Sequence, residues 1–116
     1  MDSNINIVSL SGRVTDFSTT VEGGSKTGSF YLEWSLPVTV GTQQTVDRIF
    51  CMVRDDAVTA VQRAVESDSQ VYVQGRIRTR VLRYEGKGKK PVHAAYIAAK
   101  TVLIVSDGTD KTPAIN

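Results

Sequence analysis

The chain has 116 residues, 41% hydrophobic and 22% charged, with 14 Lys and Arg against 12 Asp and Glu for a net charge of +2. That length fits one domain with a modest core, and the composition is that of an ordinary soluble globular protein, not a disordered one. No apolar run approaches the ~20 residues of a membrane-spanning helix, no basic stretch leads into an apolar one in MDSNINIVSL, and the lone Cys51 excludes an internal disulfide, so a cytoplasmic, nucleoid-associated location is expected.

Most of the chain alternates with period two, the signature of strands. A first strand is predicted near residues 5–17, with Val8, Leu10, Gly12 and Val14 on one side and Gly12 marking a bend. VEGGSKTGS, residues 21–29, reads as a flexible loop. The second strand, about 29–40, places Phe30, Leu32, Trp34, Leu36 and Val38 on one face and Tyr31, Glu33 and Ser35 on the other, with Pro37 near an edge or where pairing ends and a turn at 41–44. Trp34 alternates with leucines and is assigned to the core. The third strand, about 45–54, points Ile49, Cys51 and Val53 inward and Val46, Arg48, Phe50 and Met52 outward. Ala57, Val58, Val61, Ala64 and Val65 then recur at helical spacing, predicting a helix over 56–66 with an Asp at its N-cap.

The fourth strand, near 70–84, is the clearest. Val71, Val73, Ile77, Thr79 and Val81 alternate with Tyr72, Gln74, Arg76, Arg78 and Arg80, and Gly75 allows curvature. EGKGKK, residues 85–90, reads as a mobile basic hairpin tip, a fifth strand covers about 92–105, and residues 106–116 read as a short disordered tail. Three strands, a helix and two strands, long and bent at glycines, suit a small closed all-β barrel: a five-stranded OB-fold with one helix between strands three and four and an extended basic hairpin, spanning residues 1–105.

Charge is unevenly placed. Residues 1–70 carry five Lys/Arg against nine Asp/Glu, whereas Arg76, Arg78, Arg80, Arg83, Lys87, Lys89 and Lys90 crowd into residues 76–90 against Glu85 alone. Such concentration suits a polyanion, a solvated hairpin being the plainer alternative. Catalysis has little to work with: His93 and Cys51 stand alone, no phosphate-loop spacing occurs, and Asp55 and Asp56 are read as caps, so no enzyme, metal or cofactor is expected.

Binding a single strand needs cations for phosphates and flat side chains for bases. A strand rising ~3.3 Å per residue sets alternate side chains ~6.6 Å apart, comparable to an extended nucleotide. Arg76, Arg78 and Arg80 have that spacing, Tyr72 shares their face, Arg48 and Phe50 come from the outward face of strand three, and Arg83, Tyr84, Lys87, Lys89 and Lys90 extend the surface to the tip. A solvated face or a subunit interface is an alternative role for the arginine row, a second small core or a subunit contact for Phe50, and an interface for Tyr72, and Tyr31 is a weaker stacking candidate.

SQVYVQGRIRTR, residues 69–80, closely resembles the segment before the basic hairpin of bacterial and phage single-stranded DNA-binding proteins, a pattern near S-x-V-x-V-x-G-x-L-R-T-R, with Gly75, Arg78, Thr79 and Arg80 all in place. Arg48 matches a third-strand arginine with no gap to Ser69, Arg54 falls where the family often has a DNA-contacting lysine, and SLSGRV is similar to the first-strand glycine motif. The resemblance spans roughly residues 5–105 and is strongest over 45–81. It implies an OB-fold, single-stranded DNA as partner, a homotetramer with a dimer as alternative, and roles in DNA replication, recombination and repair. The sequence departs from the family where stacking aromatics would fall, at Val46, Met52 and Leu82, with Phe50 and Tyr84 nearby, and it ends TPAIN where an acidic, Phe-ended tip is usual. Weaker stacking implies more reliance on phosphate contacts. A rival reading is an OB-fold primosomal or replisome adaptor that grips proteins and touches DNA weakly. RNA is the alternative ligand.

Overall fold

A computed structural model describes residues 4–35, 41 and 45–105. Five strands, β1 (Val8–Glu22), β2 (Ser25–Ser35), β3 (Val46–Arg54), β4 (Gln70–Glu85) and β5 (Lys90–Val105), and one helix, α1 (Asp56–Glu66), follow each other in the predicted order. The sheet closes as β1-β2-β3-β5-β4, with β4 returning to pair with β1. All neighbours are antiparallel except β3 and β5, whose short parallel contact pairs Cys51 with Ile97 and Met52 with Ala98. This is the OB-fold. Leu36, Pro37, Val38, the 42–44 turn and the tail at 106–116 lie outside the described residues.

The alternation dictates the core. Phe30 and Leu32 from β2, Cys51 and Val53 from β3, Val71 and Val73 from β4, and Ile97 and Val102 from β5 all point into the barrel and are buried. Fully burying side chains of the Phe30 or Leu32 kind contributes ~1.5–3 kcal/mol each. Helix α1 adds Val58, Val61 and Ala64 to the same cluster, and Trp34 packs against it, as its leucine neighbours implied. Asp55 occupies the helix N-cap but its carboxylate makes no cap bond; its backbone instead donates to the Lys26 carbonyl at 2.8 Å.

One loop expectation is corrected and another is narrowed. Residues 21–29 are no flexible loop: β1 and β2 continue to Glu22 and Ser25 and are joined by Gly23–Gly24 alone, both at positive φ (58° and 85°). Two-residue hairpins need that left-handed backbone, and glycine adopts it without steric cost. The basic tip is likewise paired up to Glu85 and Lys90, leaving a four-residue turn closed by a 3.2 Å bond from the Lys89 amide to the Gly86 carbonyl. The β4–β5 hairpin therefore projects well past the barrel, and from Arg76 onward every β4 side chain is exposed.

Candidate nucleic-acid interface

Residues paired across neighbouring strands share a face, so the registers define the barrel's outer surface. On β2 and β3, Tyr31 lies opposite Phe50, Glu33 opposite Arg48, Ser29 opposite Met52 and Thr27 opposite Arg54. On the hairpin, Arg76 pairs with Ala98, Arg78 with Tyr96 and Arg80 with Ala94. The Cys51–Ile97 and Met52–Ala98 pairs join the two halves, giving one continuous face across four strands.

An aromatic platform occupies its middle. Tyr31 and Phe50 meet edge to face with centroids 5.3 Å apart. Arg48 lies over the Tyr31 ring at 3.9 Å and Arg80 over the Phe50 ring at 4.3 Å, near enough for each cation to be attracted by the ring's electron-rich face. To reach Phe50 from β4, Arg80 must pass over β5, and its partner there is the small Ala94.

Beside the platform, where β3 and β5 part, runs an open groove of about 950 Å³. Its cations are Arg54, Arg76, Arg78 and Lys100, its aromatic is Tyr96, Met52 also lines it, and among the described residues no Asp or Glu does. Unneutralised guanidinium and ammonium groups around a concave surface raise the local potential for an anion. Among the described residues no cluster of three metal-ligating side chains occurs. Cys51 is buried, and desolvation pushes its thiol from 9.0 to about 12, which leaves it a neutral core residue.

Of the residues singled out from sequence, Arg48, Phe50, Arg54, Arg76, Arg78 and Arg80 come together on this face. Arg83 joins it by a route that alternation missed. The ladder slips between Val81 and Arg83, leaving Leu82 unpaired, so Arg83 pairs with Val92 on the arginine side and binds Glu85 there. The same bulge moves Tyr84, opposite Pro91, to the other side of the hairpin, away from the arginines. Lys87, Lys89 and Lys90 stand exposed at the tip. Tyr72 lies apart from the groove, donating its hydroxyl to Ser9 Oγ at 3.1 Å beside β1. Sequence reasoning missed Tyr96 and Lys100. In VHAAYIAAK a buried Ile97 places Tyr96 outward, a signal usable only once the β5 register is known.

Neither a scan against protein-family models nor a search of curated proteins finds a match to the sequence. Solved structures do match in shape. A Plasmodium falciparum SSB in complex with ssDNA superposes with a TM-score of 0.66 at 19% identity, over 91% of this chain and 99% of that one. A small single-stranded DNA-binding protein from Mycoplasma pneumoniae gives 0.61 at 12% identity, over 92% and 98%. At these identities the likeness establishes the shared fold.

Proposed function

We propose that this protein binds single-stranded DNA without sequence readout, along the outer face of β2, β3, β5 and β4, and catalyses no reaction. The observation that carries the reading is the acid-free groove bearing Arg54, Arg76, Arg78 and Lys100 beside the Tyr31–Phe50 platform. Cations serve phosphates and rings serve bases, and both kinds of contact tolerate any sequence. Two structures sharing the fold are described as single-stranded DNA-binding proteins. In a cell such an activity protects exposed strands during replication, recombination and repair.

A second copy of the chain is the expected partner. The hairpin face opposite the arginines exposes Ile77, Val81 and Tyr84 at 44%, 41% and 61%, apolar surface that suits a protein contact. A homotetramer is the favoured assembly and a dimer the alternative, which sedimentation of the protein alone resolves.

The test is fluorescence anisotropy of labelled oligo-dT over a salt series, with Arg76→Ala plus Arg78→Ala as the variant. Each phosphate neutralised on a single strand contributes ~0.7 to the slope of log K against log salt. The double variant should therefore lose about 1.4 of slope and weaken unrelated strands by a similar factor. An unchanged slope would remove the groove from the site.

A further inference from the structure

Arg48, one of the cations singled out from sequence for the single strand, is already ion-paired within the protein. Its Nη2 donates to Asp16 Oδ2 at 2.9 Å, and Nη1 is 3.5 Å from Glu33 Oε2. Both carboxylates are placed there by specific devices. Glu33 is the direct cross-strand partner of Arg48, and Thr15 Oγ1 donates to its Oε2 at 3.1 Å. Asp16 sits in a β-bulge where the β1–β2 register slips between Thr15 and Ser18, at φ +54°. That left-handed backbone is disfavoured for residues with a Cβ, and bulges use it to re-aim a side chain.

A guanidinium donates hydrogen bonds from its rim, in its plane, and presents two flat faces. In Arg48 the two terminal nitrogens are engaged by the two carboxylates, and the guanidinium carbon lies over Tyr31. With these contacts made, the side chain is still 44% exposed. A phosphate approaching this guanidinium would meet two carboxylates. A nucleobase would meet a flat, delocalised cation already fixed in place, a surface on which bases stack.

We propose that Arg48 is a base-stacking residue of the single-strand site and not a phosphate ligand, with Asp16 and Glu33 as the positioning residues that hold it over Tyr31. The proposal rests on the single-strand reading above and assigns the platform end of the site to bases and the acid-free groove to phosphates. It also identifies the stacking surface at this end as the guanidinium, the Tyr31 ring beneath being its support.

The experiment compares oligo-dT with an abasic oligomer of equal length, each titrated over a salt series. Wild-type binding to oligo-dT is measured first, and its absence would overturn the functional reading itself. Arg48→Ala should weaken oligo-dT binding on the order of 5- to 150-fold, the equivalent of one lost base stack. It should leave both the salt slope and the abasic oligomer's affinity unchanged. Arg48→Lys, which keeps the charge and loses the plane, should behave like Arg48→Ala. Asp16→Asn plus Glu33→Gln, which keeps the bulge backbone accessible because Asn tolerates positive φ, should steepen the slope by up to ~0.7 as the freed guanidinium reaches a phosphate. Three results overturn the proposal while leaving single-strand binding intact: a slope that falls by ~0.7 in Arg48→Ala with equal weakening on the abasic strand, an Arg48→Lys that binds like wild type, or a double carboxamide variant with an unchanged slope.

Discussion

Replacing Gly75 by alanine tests how the hairpin is joined to the barrel. Gly75 sits where the β4–β5 ladder slips, between the Gln74–Thr101 and Gly75–Ala99 pairs, with Lys100 bulged out. A Cβ there would lie 2.2 Å from the Ala98 carbonyl oxygen and 2.8 Å from Ala99 Cα. Ordinary contact begins at 3.4 Å, so β4 and β5 must part by about 1.2 Å, and both obstacles are backbone with no flexible side-chain end to yield. Overpacking of this kind costs ~1–3 kcal/mol, and a ladder hydrogen bond stretched that far forfeits ~1 kcal/mol more. At ~4 °C per kcal/mol for a chain of this size, Tm should fall by roughly 8–16 °C. The control is Gly86→Ala in the hairpin tip, at φ +79° with nothing within 4 Å of the added methyl, where backbone strain alone costs ~1–2 kcal/mol. Scanning calorimetry of both variants decides the matter. Because the parted strands also carry Arg76 and Arg78 away from Arg54 and Met52, oligo-dT affinity measured well below the lower Tm should drop in Gly75→Ala and hold in Gly86→Ala. A Gly75→Ala protein as stable as the control would refute the close approach.

In the β1–β2 hairpin, Gly23→Asn should be neutral to stabilising by about 0.5 kcal/mol in urea titration, because Asn accepts positive φ and restricts the unfolded chain; Gly24→Val at φ +85° should destabilise by more than that. The Cys51 thiol is raised to about 12 by burial, so the folded state holds its proton more tightly than the unfolded one. Its stabilising contribution is complete below pH 9 and is lost as pH rises toward about 12. Denaturation midpoints should decline over that alkaline window, more steeply than in Cys51→Ala, and thiol-alkylating reagents should label the protein only on unfolding.

Inward and outward positions were legible wherever one face of a strand meets the core. Phe30, Leu32, Cys51, Val53, Val71 and Val73 are buried as period two requires, and the helix followed from the spacing of Val58, Val61 and Ala64. Legibility ended where the chain leaves the core. Residues 18–22 and 25–26 are exposed on both sides of the sheet, so no alternation marks them, and a two-glycine turn between polar strands is indistinguishable from a loop. In the β4–β5 hairpin, the bulge at Leu82 exchanged the faces of Arg83 and Tyr84, and no composition signal announces one extra residue. The partners of Arg48 were beyond reach for another reason: Asp16, Glu33 and Tyr31 converge on it only through the β1–β2 and β2–β3 registers and the left-handed kink at Asp16. Counting cations found the arginines; which of them remain unneutralised depends on tertiary pairing.

That distinction orders the whole surface. Arg48 is paired with Asp16 and Glu33, and Arg83 with Glu85, whereas Arg54, Arg76, Arg78 and Lys100 line a groove with no carboxylate among the described residues. Simple addition of charges would spread the affinity evenly along β4 and its tip. With Arg48 and Arg83 paired, the unbalanced charge collects at the groove, next to Met52 and Tyr96, and at the exposed tip lysines Lys87, Lys89 and Lys90. The alanines of β5 belong to the same design, since Ala94 and Ala98 stand opposite Arg80 and Arg76. Arg80 crosses to Phe50 over the first of them, so a larger side chain at position 94 would block the cation that ties β4 to the aromatic platform. The small residues of β5 thus decide where the large charged ones of β4 come to rest, and with them whether charge and stacking lie side by side on a single face.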